Sequence, residues 1–110
     1  AGTTARGAAK RARMGGVRCG AQERGPKGSK VNAVGPGWVK TDAAMNSLKH
    51  MALEEGRSED ELLNEILSAQ AISGLMEPDD MIGAYLFLAS DAATNITGQS
   101  LNVDRGELMG

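Results

Sequence analysis

Aromatic residues are nearly missing from this sequence, which has one Trp, one Tyr and one Phe, 3% of 110 residues. Any core must therefore be built from aliphatic side chains and Met. A single cysteine, Cys19, excludes an internal disulfide and fits a reducing, cytoplasmic setting. No His stands beside it to make a catalytic pair, so an inert thiol is expected. The one His, His50, has no Cys or His partner at metal spacing, and no metal site is read. No apolar run is long enough to span a membrane, and no hydrophobic segment of signal-peptide type opens the chain. The sequence starts at Ala1 without an initiator Met, which is compatible with a fragment or a processed end. Acidic residues are scarce early on. Residues 1–30 hold eight basic residues against Glu23 alone, whereas residues 31–110 hold four basic and thirteen acidic ones. Such a split can mark a basic arm that binds nucleic acid, or a segment that has drifted from its fold. The arm has no aromatic side chain on which bases could stack, and the rest of the chain is acidic, so nucleic acid is not the expected partner.

At 110 residues the chain is at most one domain, with a small share of buried surface. Its organising stretch is K-V-N-A-V-G-P-G-W-V-K-T, Lys30 to Thr41. The β-branched run Val31 to Val34 stops at Gly35-Pro36-Gly37, the pattern of a buried strand ending in a sharp loop. In open α/β sheets, ligands bind beyond the carboxyl ends of strands, which makes this loop and Thr41 a candidate ligand loop.

Residues 42–55 repeat apolar side chains at spacings of three and four (Ala44, Met45, Leu48, Met51, Ala52), an amphipathic helix ended by Gly56. Ser58-Glu59-Asp60-Glu61 is a capping-box pattern for a second helix with Leu62, Leu63, Ile66, Leu67 and Ala69 inward. Pro78 opens a third, preceded by Glu77 and followed by Asp79 and Asp80 at the positive end of the dipole. That helix, with Met81, Ile82, Tyr85, Leu86 and Leu88, is apolar almost all round and needs cover; packing in a core or an interface is the role expected of Tyr85. Ser100 to Val103 reads as a strand. Before all of these, residues 1–28 carry seven glycines, each costing a helix roughly 0.5–1 kcal/mol relative to Ala, so an isolated helix there would be poor.

V-N-A-V-G-P-G-W-V-K-T resembles the N-A-x-x-P-G-x-V-x-T segment of the short-chain dehydrogenase/reductase family. Glu77 to Asp80, Leu86 to Asp91 and Thr97 to Asp104 resemble that family's closing segments, in order. The resemblance implies an α/β fold: the C-terminal part of a Rossmann-like, doubly wound parallel sheet, its last two strands with helices, incomplete as a sheet. Residues 1–29 would be a degenerate active-site helix region. Residues 30–110 would hold the strand, the cofactor loop, the substrate-lid helices, and the last helix and strand. By the same resemblance, Pro36, Gly37, Val39 and Thr41 would contact NAD or NADP. Thr41 would bond the nicotinamide carboxamide or pyrophosphate; its other reading is an N-cap, a role Asp42 could also fill. Trp38 is expected to pack under the loop.

Counting back from Val31, Lys10 matches the lysine of the family's Y-x-x-x-K motif, while Arg6 stands at the tyrosine. The other reading of Lys10 is one exposed cation among eight. Arginine holds no proton it can surrender near neutrality, so it cannot act as the general acid/base. Neither the serine nor a Gly-rich turn of the G-x-G-x-x-G kind is found in the 110 residues. The family has Gly-Gly after the closing aspartate; here Arg105-Gly106 follow Asp104, and Glu107 to Gly110 read as a frayed tail. The resemblance thus implies an oxidoreductase that moves hydride between NAD(P) and a small-molecule alcohol or carbonyl, present as a C-terminal fragment inactive alone. It would form a homo-oligomer through the last helix and strand. The alternative is a non-catalytic remnant that acts only by subunit association.

Overall fold

The computed structural model describes residues 2–108, with side chains from residue 7 onward. In chain order the elements are α1 (Gly2–Arg24), β1 (Ala33–Pro36), α2 (Asp42–Glu55), α3 (Glu59–Leu67), α4 (Ile82–Ala89) and β2 (Ser100–Val103), with short 3-10 turns at Gly25–Lys27, Pro78–Met81 and Asp91–Ala93. β1 and β2 pair as a two-stranded sheet. The Ala33 N–H donates to Gln99 O (2.9 Å) and the Gly37 N–H to Val103 O (3.1 Å). Both partners advance by four residues together, which makes the pairing parallel. The chain forms two compact units, residues 1–35 with 83–101, and residues 36–82 with 102–110.

β1 starts two residues later than the apolar run suggested and continues through Pro36. The odd-numbered residues Ala33 and Gly37 donate toward β2, so the N–H that proline lacks falls on the opposite edge and no ladder bond is lost. The expected start, Val31 and Asn32, is held by a loop instead. The Val31 N–H donates to Thr97 Oγ1 and Asn32 Nδ2 to Ile96 O, while Asn32 Oδ1 accepts from the Gln99 N–H (3.1 Å).

In the first unit, the glycine-rich segment does form a helix, α1, of 23 residues. Propensity is overridden by packing here: Val17 is buried, and a Cβ on Gly20 would meet Val31 Cγ1 at 3.2 Å. The glycine lets the helix backbone approach the chain leading into β1. Arg13 Nε donates to Ser100 Oγ (3.3 Å). Lys30 Nζ reaches the carbonyls of Leu88 (3.2 Å), Ser90 (3.5 Å) and Ala93 (3.0 Å), a cation at the negative end of α4 and its following turn. α4 has no buried residue: Ile82, Tyr85, Leu86 and Phe87 are all exposed. The cover its apolar composition calls for is not supplied by the described residues, and Tyr85 is a surface side chain, not a core one.

The second unit is organised by the α2–α3 hairpin. Leu48, Ala52 and Leu62 are buried together, with Met51, Leu63 and Ile66 against them, the inward set the periodicity gives. Gly56 closes α2 with its N–H on Ala52 and Leu53 carbonyls. Ser58 Oγ accepts from the Glu61 N–H (3.1 Å). The reciprocal bond of a capping box, from Glu61 back to Ser58, is absent among the described residues. Arg57 hydrogen-bonds Glu65, which raises its already high pKa. Ala69 lies beyond the end of α3 and is exposed, not inward. A reciprocal carboxylate is instead seen before α4, where Asp80 Oδ2 accepts from the Glu77 N–H (2.8 Å). The chain after β2 is not frayed through Leu108: Asp104 O accepts from Glu107 N–H and Asp104 Oδ2 from Leu108 N–H. Met109 and Gly110 lie outside the described residues.

Candidate functional site

The last residue of β1 and the loop after it, residues 36–41, bring Pro36, Gly37, Val39 and Thr41 into one stretch of the second unit. It is pinned at both ends. The Gly37 N–H donates to Val103 O, and the Lys40 N–H to Met76 O (2.8 Å), where Val39 and Met76 form an isolated parallel bridge. Gly37 sits against Asp104 so closely that an added Cβ would be 2.6 Å from Asp104 Cβ. Asp104 is buried, and its carboxylate oxygens accept from the Gly106 N–H (3.0 Å) and the Leu108 N–H (3.1 Å). Its charge is thus engaged by its own turn, and it acts as a wall for the loop.

Thr41 is the N-cap of α2. Its Oγ1 accepts from the Ala44 N–H (3.1 Å), so the capping role falls to Thr41 and not to Asp42. A hydroxyl has one donor and two acceptor positions, and the Thr41 O–H finds no acceptor among the described residues. The Thr41 N–H is taken by Val39 O (2.8 Å). The N–H groups of Trp38 and Val39 likewise meet no acceptor among the described residues. Trp38 is half-buried, Thr41 and Pro36 exposed. The loop therefore presents backbone N–H donors at 38 and 39 and a hydroxyl donor at 41, a donor set suited to an acceptor-rich group such as a carboxamide oxygen or a phosphate.

Lys10 belongs to the first unit, on α1, and is half-buried and not without a partner. Its helical register, with Arg13 and Val17 at spacings of three and four, places it on the face of α1 that packs. Arg6 falls on the same helix, with its side chain outside the described part. His50 and Cys19 are exposed. Sequence reasoning missed Met76 and Asp104 as the two supports of the loop. The only available signal was Asp104 in the closing segment, since the pairing of Val39 with Met76 has no local pattern.

The sequence profile described as Enoyl-(Acyl carrier protein) reductase matches residues 1–107. The chain is 34% identical over 99 residues to the short chain dehydrogenase/reductase astE of Aspergillus oryzae, an alignment covering 90% of this chain and 35% of that protein. The crystal structure of sorbitol-6-phosphate 2-dehydrogenase SrlD from Erwinia amylovora superposes with a TM-score of 0.83 at 27% identity, over 94% of this chain and 41% of that one. 4-Hydroxyisoleucine dehydrogenase complexed with NADH superposes with a TM-score of 0.65 at 28% identity, over 94% and 37%. The chain thus spans little more than a third of the length of these proteins. With the profile covering nearly every residue, and with a parallel β1–β2 pair ending in a donor-lined loop, the chain belongs to the short-chain dehydrogenase/reductase family.

Proposed function

We propose that this chain is the closing portion of an NAD(P)-dependent oxidoreductase acting on a small-molecule alcohol or carbonyl. In this reading Pro36, Gly37 and Val39 shape the loop over the nicotinamide end, and Val39 N–H and Thr41 O–H donate to the nucleotide. The observation that carries it is the set of uncommitted donors at 38, 39 and 41 on a loop fixed at both ends. When bound, the nucleotide supplies the hydride chemistry. Lys10, on α1, would be the lysine that holds the ribose in the family; Arg6, at the tyrosine position, cannot move the proton the reaction needs. The 110-residue chain is therefore inactive alone. A cytoplasmic location accords with the single cysteine; among the described residues no helix is long and apolar enough to cross a membrane.

The test is a graft. Residues Lys30 to Asp104 placed in a complete family member should preserve NAD(P)-dependent turnover, whereas the 110-residue chain alone should give none above blank. Loss of cofactor binding by the graft while it remains folded would overturn the assignment of the loop.

One observation also favours the association reading. α4 exposes Ile82, Tyr85, Leu86 and Phe87 on a helix of eight residues, and Leu101 on β2 is exposed as well. Such a concentration of apolar surface supports the reading of an interface. The homo-oligomer would form through α4 and β2, and this role needs no catalysis.

A further inference from the structure

We propose that Arg105 is a positioning residue for the 37–41 loop, acting through the 72–76 turn. The inference rests on the reading of that loop as the nucleotide site, but the contacts that carry it do not. Arg105 has φ 54°, the one non-glycine residue with positive φ among those described, a conformation that L side chains disfavour. Its backbone and side chain both hold the turn: the Ile72 N–H donates to Arg105 O (2.9 Å), and Arg105 Nη1 donates to Ser73 O. Gly74, at φ 103°, leaves room for the guanidinium; a Cβ there would stand 3.1 Å from Nη1. Buried Gln70 completes the set, its Nε2 donating to Ile72 O (3.1 Å) and Gly74 O (2.9 Å). Three successive carbonyls, at 72, 73 and 74, are thus each taken by a side-chain N–H.

The turn leads directly to Met76, whose carbonyl holds the Lys40 N–H. On the other side, Arg105 follows Asp104, the wall against Gly37. The contacts close a ring that runs from Gly37 through Lys40, Met76, the 72–74 turn, Arg105 and Asp104 back to Gly37. Arg105 is the residue at which the two supports of the loop meet. Left-handed backbone at this position aims the carbonyl at Ile72 while the long side chain reaches Ser73.

Amide hydrogen exchange by NMR on the 110-residue chain tests this without any nucleotide, so failure of the cofactor assignment leaves the result unaffected. Arg105→Gly adopts the same φ without a side-chain donor, Arg105→Asn tolerates it with too short a reach, and Arg105→Lys keeps one long donor. The Lys40 amide should exchange roughly tenfold or more faster in the Gly and Asn variants, the fold-change carried by one charge-assisted hydrogen bond. Ala52 in the α2–α3 hairpin should keep its protection, and the Lys variant should fall between wild type and the other two. If Arg105→Gly does not fold, the Asn and Lys variants decide. Unchanged Lys40 exchange, equal acceleration of all amides, or unfolding of all three variants would overturn the proposal.

Discussion

A methyl group on Gly37 would stand 2.6 Å from Asp104 Cβ and 2.8 Å from Asp104 Cα. The clash is with backbone as well as side chain, so it cannot be relieved by a rotamer change. Gly37→Ala must push the loop away from the end of β2, and overpacking of this kind costs about 1–3 kcal/mol. The urea midpoint should fall while the m-value is unchanged. A midpoint equal to wild type would show that the loop is not seated on Asp104.

Thr41 has two separable duties. Thr41→Val removes the cap on Ala44 and should cost about 1 kcal/mol of stability in the chain itself. Thr41→Asp keeps an N-cap acceptor but has no proton to donate. In a graft carrying residues 30–104, both variants should bind NAD(P) more weakly, by about 0.5–1.5 kcal/mol for the lost hydrogen bond, with added charge repulsion for Asp. Only Val should lower the melting temperature markedly. Parental nucleotide affinity in the Asp variant would reduce Thr41 to a helix cap.

The glycines of α1 are predicted to differ by position. Gly16 is exposed, with nothing within 4 Å of an added Cβ, whereas a Cβ on Gly20 would press on Val31 at 3.2 Å. Gly16→Ala should stabilise the chain by about 0.5–1 kcal/mol through helix propensity. Gly20→Ala should give less than that, or destabilise. Thermal unfolding followed by circular dichroism compares the two; an equal gain at both positions would mean that α1 does not pack on Val31.

Much of the second unit was legible because its signals are local. The spacing of Leu48, Met51 and Ala52, the stop at Gly56 and the Ser58 cap each lie within a few residues of what they specify, and α2 and its inward face follow from them. The strand at Ser100–Val103 is bounded by its own turn. For α1, propensity counts each glycine as a cost, while tertiary approach at Gly20 makes one of them a contact, so the helix implied by the family resemblance forms although an isolated one would be poor. β1 was shifted because an apolar run does not reveal which edge a strand pairs on, and that edge decides whether Pro36 is tolerated. Within the candidate site, Gly37 and Thr41 were visible in the motif. Asp104 stood in the closing motif with no sign of its contact to Gly37, and Met76 had no signal at all, since those contacts join residues dozens of positions apart. Arg105 stands out in the sequence where the family has glycine, but its bonds to the 72–73 turn have no trace in sequence spacing.

In the proposed reading, these 110 residues carry the nicotinamide-end loop of the family without a complete nucleotide site. No Gly-rich turn opening an apolar helix occurs in the sequence, so the described residues include no helix-terminus anion site of the kind that holds a pyrophosphate. Each missing charge-assisted hydrogen bond removes roughly 1.5–3 kcal/mol, and two or three of them shift affinity by about three decades. Trp38, the sole tryptophan, lies within the loop and reports on it. The decisive measurement is titration of the purified chain with NADH and NADPH while exciting Trp38, corrected for absorbance. The account predicts no saturation in the micromolar range. Saturable quenching there would contradict it, and would show that this chain builds a complete nucleotide site from residues 1–110 alone.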